Sequence, residues 1–95
     1  MHRNNLHSQP ALEIIEVIAS TSDRSLLHSF FSEIFSEAEL KDISLRWELL
    51  KKLRQGLPQR QIAAELGISL CKITRGAKII KDSSSATNKI LSQIS

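Results

Sequence analysis

Residues 59–81 read QRQIAAELGISLCKITRGAKIIK, and this stretch decides the fold. Ile62, Ala63 and Leu66 share one face at helical spacing, and Gly67 can adopt the positive φ that a tight turn needs. Ile68 closes the joint. Ser69 then offers an N-cap hydroxyl to a second helix, on which Ile73, Ala77 and Ile80 form a buried stripe at i, i+4 and i+7. The opposite side carries Lys72, Thr74, Arg75 and Lys78. Two helices crossing at roughly 90 to 120° must approach closely, which favours a small residue such as Ala63 on the first. The pattern is that of a helix-turn-helix with a basic second helix.

The surrounding chain supports an all-α domain. It has 95 residues, 41% apolar but only 4% aromatic, with no tyrosine, so its core must be aliphatic. This length suits one domain, 1–95. No strand pattern is present. The single Cys71 excludes an intrachain disulfide, and histidines at 2, 7 and 28 offer no zinc-ligand spacing, so no metal is expected. No run approaches the roughly 18 apolar residues of a spanning helix, and the start lacks the form of a signal peptide. A cytoplasmic protein with no membrane partner is expected. The same histidine placement leaves no Ser/His/Asp, Cys/His or paired-carboxylate arrangement, so an enzyme is not expected.

Charge divides the chain more sharply than its net +3 suggests. Residues 1–45 hold three basic and seven acidic side chains, whereas residues 46–81 hold nine basic and two acidic, and the tail is neutral. The helix-turn-helix thus lies in the basic part. Held against a polyanion, that part would release condensed counterions, the main source of sequence-independent DNA affinity. A solvated lysine face would carry the same charge.

Upstream of the motif, residues 1–9 are polar and read as a mobile arm. From Pro10 a helix with Ile14, Ile15, Val17 and Ile18 runs to the break at Ser20-Thr21-Ser22-Asp23. A second helix, Arg24 to Phe35, repeats Leu26, Leu27, Phe30, Phe31 and Ile34. Together these helices, 10–35, have more apolar surface than one small core covers, which predicts an interlocked homodimer. The core helix, 36–56, starts at a capping box of Ser36 and Glu39, with Phe35 and Leu40 as a hydrophobic staple. Its inward face is expected to be Leu40, Ile43, Trp47, Leu50 and Leu53. Lys51, Lys52 and Arg54 suit its C-terminal end, and Gly56 stops it. Arg46 lies too far from that end to gain from the dipole. After the motif, 58–81, a polar linker leads to a short last helix, 86–95, with Ile90, Leu91 and Ile94 inward.

Gly76 breaks the helix-turn-helix pattern. A branched apolar residue is usual nine positions after the turn glycine, and glycine within a helix costs about 1 kcal/mol against alanine. The missing side chain leaves a slot beside Ile79 and below Arg75, bounded by the core helix and Arg46. Two guanidinium groups across a slot suit a small planar ligand with a carboxylate. Close helix packing is the other use of such a glycine.

The segments QRQIAAELG and ITRG, with Leu45-Arg46 and the capped start at Ser36, resemble the Trp repressor family. The resemblance covers residues 34–81, with one residue deleted after Gly56. It implies an all-α fold of about six helices in an interlocked homodimer. It also implies a transcriptional repressor of tryptophan biosynthesis or uptake genes, binding a palindromic operator with L-tryptophan as corepressor. Arg75 is then similar to the arginine on the tryptophan carboxylate, Gly76 to the residue beside the indole, and Arg46 to the arginine closing the ring's other side. Ser36 and Phe35 are similar to the helix start that a partner subunit offers to the ligand's amino group and ring, and Ile79 stands where better-known members place a serine near the ligand amino group. Gln59 and Arg60 match positions near phosphates. Leu70, Cys71, Lys72 and Thr74 occupy positions that enter the major groove, and Ser69 and Lys78 complete the DNA-facing set. Glu33, Ala63, Lys72 and Pro58 also depart from the family's usual residues. Two other readings remain open on the residues alone: a ligand-independent helix-turn-helix module such as that of a replication initiator, and a helical interaction protein with a solvated basic face.

Overall fold

The structure, a computed structural model, describes residues 9–94. Nearly all of the predicted N-terminal arm and Ser95 lie outside the described residues. Six helices follow in order: α1 (Gln9–Ser20), α2 (Arg24–Ile34), α3 (Glu37–Arg54), α4 (Gln59–Leu66), α5 (Leu70–Lys81) and α6 (Ala86–Ile94). The fold is all-α, as the periodicities require. The chain divides into two units, one ending at Glu37 and the other beginning at Ala38.

In the first unit, α1 ends where Thr21 Oγ1 donates to the Val17 carbonyl at 2.6 Å. α2 starts at Asp23, whose carboxylate accepts the Leu26 N–H at 3.1 Å. Both ends use short polar side chains that compete with helix continuation. Along α2, Phe31 packs edge-on to Phe30 and against Phe35, with ring centroids 6.3 and 5.3 Å apart. Yet neither helix contains a buried residue. Leu12, Ile14, Ile15, Val17, Leu26 and Ile34 are all exposed.

The second unit is built around Leu49 of α3, Ile62 of α4 and Ile73 of α5, with Leu53, Leu57, Ala63, Leu66 and Ile68 packed around them. Ile62 and Ile73 are fully enclosed. The turn between α4 and α5 is formed by Gly67 at φ 64, and Ser69 caps α5 by accepting the Lys72 N–H. Pro58 begins α4 without a side-chain cap. Lys52 Nζ lies 2.9 Å from Glu65, tying α3 to α4. Glu65 sits below the usual carboxylate range, held there by the Gln61 amide first and by Lys52 second.

Two expected packing faces are different in the structure. On α3, Ile43 and Trp47 are exposed by 45% and 36%, and the buried residue is Leu49. The reason is that α3 carries apolar side chains around most of its circumference, so α4 and α5 select the Leu49–Leu53 stripe and leave the Ile43–Trp47 stripe open. On α6, Leu91 is buried as expected, but Ile90 and Ile94 are exposed and the second buried residue is Asn88.

Asn88 is buried because it finishes α5. Its amide donates to the carbonyls of Ile80 and Asp82, each at 2.9 Å, taking up acceptors that a helix C-terminus leaves unpaired. Its own Oδ1 accepts from Arg54 Nη1 at 2.8 Å, and Arg54 Nη2 reaches Ser92 Oγ at 2.9 Å. The end of α5 is thereby fastened through α6 to the end of α3. Asn88→Ala should lower unfolding free energy by about 2–3 kcal/mol, since it leaves the acceptors at the end of α5 unpaired and removes one of the hydrogen bonds that hold the Arg54 guanidinium. Urea denaturation followed by circular dichroism reads this directly.

Candidate ligand and nucleic-acid site

A cavity of about 340 Å³ opens between α3 and α5. Its size lies at the lower end of the roughly 300–1,000 Å³ typical of small-molecule sites. α5 supplies Lys72, Arg75, Gly76 and Ile79, which recur at i, i+3, i+4 and i+7 and so occupy one stripe. α3 supplies Asp42, Leu45, Arg46, Leu49 and Leu50, and Ile68 closes the side next to the turn. Arg46 and Arg75, predicted from the sequence to face each other across a slot, both line it.

Gly76 serves two purposes here. A Cβ at this position would stand 3.1 Å from Leu49 Cδ2 and 3.1 Å from Leu53 Cδ1, so α3 and α5 approach closely because the side chain is missing. The same buried residue forms part of the cavity wall. Close helix packing and an open cavity beside it, set as alternative uses of this glycine in the sequence, occur together.

The polar groups around the cavity are uncommitted. Among the described residues, the side chains of Asp42, Arg46, Lys72 and Arg75 take part in neither of the ion pairs, which join Lys51 to Glu48 and Lys52 to Glu65, and make no hydrogen bond. Charged groups that line a small cavity without satisfying one another are suited to a charged ligand.

The other predicted site residues fall in three places. Phe35 and Ser36 lie in the first unit just before its last residue, Glu37, with Phe35 half-buried and Ser36 exposed immediately before α3. Gln59 and Arg60 open α4 and are exposed. Ser69, Leu70, Cys71, Thr74 and Lys78 are exposed along α5, away from its buried stripe of Ile73 and Ala77. Lys72, predicted only for the DNA-facing set, is exposed and also lines the cavity, because its position falls on the Gly76–Ile79 stripe. Asp42 was not predicted. Its i, i+4 spacing to Arg46 is the signal that could have found it, since that spacing places both on one face of α3.

Comparison with known proteins identifies the family. The family model described as Trp repressor protein matches residues 10–95. A Trp operon repressor homolog of Chlamydia trachomatis is 40% identical over 58 residues, covering 60% of this chain and 62% of that protein. The match therefore spans about three-fifths of the length of this relative. A homolog from Vibrio parahaemolyticus is 32% identical over 75 residues, 78% of this chain and 73% of the relative, and one from Xylella fastidiosa is 29% identical over 70 residues, 73% and 76%. No solved structure matches the chain significantly. A family match that runs from α1 to the end of α6, across both the helix-turn-helix and the cavity behind it, establishes that this chain belongs to the Trp repressor family, whose members regulate transcription and are not enzymes.

Proposed function

We propose that the protein is a dimeric repressor that binds a palindromic operator when L-tryptophan occupies the cavity between α3 and α5, and so controls genes of tryptophan biosynthesis or uptake. The observation that carries this reading is the meeting of Arg46, Arg75 and Gly76 at one small cavity on the inner side of α5. A guanidinium pairs bidentately with a carboxylate and stacks on an aromatic ring, so two of them suit both ends of tryptophan. Leu45, Leu50 and Ile79 supply apolar wall for the indole.

The mechanism is a population shift. α5 is fastened at its C-terminal end through Asn88, so a ligand wedged against Arg75 acts on the rest of the helix. Tryptophan stabilises the orientation in which α5 stands off α3. Two such helices in a dimer then meet successive major grooves about 34 Å apart, the spacing general to dimeric helix-turn-helix proteins, of which the Trp repressor is itself a type example. Leu70, Cys71, Lys72 and Thr74 enter the groove, while Ser69, Lys78, Gln59 and Arg60 address the backbone. Because the ligand acts only through its differential affinity for the competent state, tryptophan and operator strengthen each other reciprocally.

The dimer is supported by apolar surface that one chain leaves uncovered, namely the exposed residues of α1 and α2 and the Ile43–Trp47 stripe of α3. Phe35 and Ser36 enter through the resemblance, as groups a second protomer contributes to the ligand. Calorimetric titration combined with sedimentation tests this reading. One L-tryptophan per chain, on a particle of two chains, is expected; a monomer at micromolar concentration, or no binding, would remove it.

A further inference from the structure

One acid faces the cavity. Asp42 lines it from α3, one helical turn before Arg46, while the α5 side consists of Lys72, Arg75, Gly76 and Ile79. α5 therefore offers two cations and apolar surface but no anionic acceptor. An α-amino acid brings opposite charges on neighbouring atoms, and each needs its own counter-charge when it leaves water. The carboxylate has two guanidinium groups available. Beside the helix start that the resemblance brings to the ammonium from a second protomer, this chain's own lining supplies one carboxylate, that of Asp42.

Asp42 is free to serve. Its position four residues before Arg46 is the favourable order for a helical ion pair, with the acid N-terminal to the base. Among the described residues no such pair forms, and Asp42 makes no side-chain hydrogen bond. It is also exposed, so the fold does not depend on it.

We propose that Asp42 accepts the ligand's ammonium and makes this cavity selective for α-amino acids over the corresponding deaminated carboxylates. The inference rests on the cavity being the tryptophan site. A deaminated ligand brings a carboxylate beside Asp42 with no cation between them, and like charges at short range repel. The amino acid brings the cation with it. Asp42 thus adds discrimination that the two arginines, which read only the carboxylate and the ring, do not supply.

Isothermal titration of the full chain with L-tryptophan and with indole-3-propionate, on the parent and on Asp42→Asn, tests this. The parent should bind tryptophan at least about tenfold more tightly than indole-3-propionate, the order expected for one charge-assisted hydrogen bond. Asp42→Asn should weaken tryptophan about tenfold and leave indole-3-propionate unchanged or tighter, which erases the preference. If the variant binds tryptophan as the parent does, or both ligands shift together in either direction, Asp42 does not read the ammonium. If the parent binds neither ligand, the tryptophan site itself is refuted and this inference falls with it.

Discussion

Arg75→Ala is expected to lower L-tryptophan affinity at least about a hundredfold without unfolding the protein. A bidentate guanidinium–carboxylate contact places two charge-assisted hydrogen bonds on one side chain, and each contributes about 1.5–3 kcal/mol in partly desolvated sites. Alanine removes both. The native fold tolerates the loss because Arg75 is exposed and, among the described residues, joins no ion pair or side-chain hydrogen bond. Surface substitutions of this kind usually change stability by no more than about 0.5 kcal/mol. Calorimetry of the variant checks the affinity, and an unchanged urea midpoint checks the fold. Unaltered tryptophan binding would show that the carboxylate is held elsewhere.

Gly76→Val should remove ligand binding altogether and destabilise the second unit by about 1–3 kcal/mol through overpacking. The first branch of the new side chain would already meet Leu49 and Leu53 at 3.1 Å, and the further methyls have only the cavity or those leucines to enter. Gly76→Ala separates the two effects. Its gain of about 1 kcal/mol in helix propensity opposes a squeeze against two flexible leucine ends, so its stability should change little. If the cavity is the ligand site, tryptophan binding weakens in the alanine variant even though the midpoint of unfolding hardly moves. Full tryptophan affinity in both variants would place the ligand away from Gly76.

The parts of this structure that were legible in the sequence are those specified by local chemistry. Gly67 needed a positive φ and has one, Ser69 caps α5, and the spacing of Ile62 and Ile73 put both in the core. Gly76 was legible as an anomaly, a position where a helix-turn-helix should carry a side chain and does not. Together with the arginines, it marks the stretch of α5 that lines the cavity. What could not be read was decided by partners distant in sequence. α3 is apolar at 40, 43, 45, 47, 49, 50 and 53, so several stripes fit equally well until α4 and α5 chose Leu49. Arg54 looked like a charge placed for the helix dipole, and only the arrival of α6 shows that it hydrogen-bonds Asn88 and Ser92. Asn88, a polar residue in a short amphipathic segment, carries no local sign that it will complete the end of α5.

The same contrast bears on function. Residues of α5 were assigned to a ligand face or a DNA face according to the resemblance, but helical geometry places Lys72 on the stripe of Gly76 and Ile79 while leaving it exposed. One side chain therefore stands at the boundary of both surfaces. If the proposed function holds, an ammonium there would respond both to the charge of the ligand in the cavity and to phosphates outside it, which would give the coupling between ligand and DNA a short path.

The central claim is that a small molecule behind α5 controls what its outer face does. The most direct test is equilibrium binding, by fluorescence anisotropy, of a palindromic operator selected from randomised DNA in the presence of L-tryptophan. Salt is held fixed, because phosphate contacts make affinity strongly salt-dependent. Saturating L-tryptophan should tighten operator binding by a factor within the roughly 5–150-fold range of ordinary allosteric coupling, and Arg75→Ala should lose that gain. Equal operator affinity with and without tryptophan would contradict the account and leave a helix-turn-helix that reads DNA without a ligand.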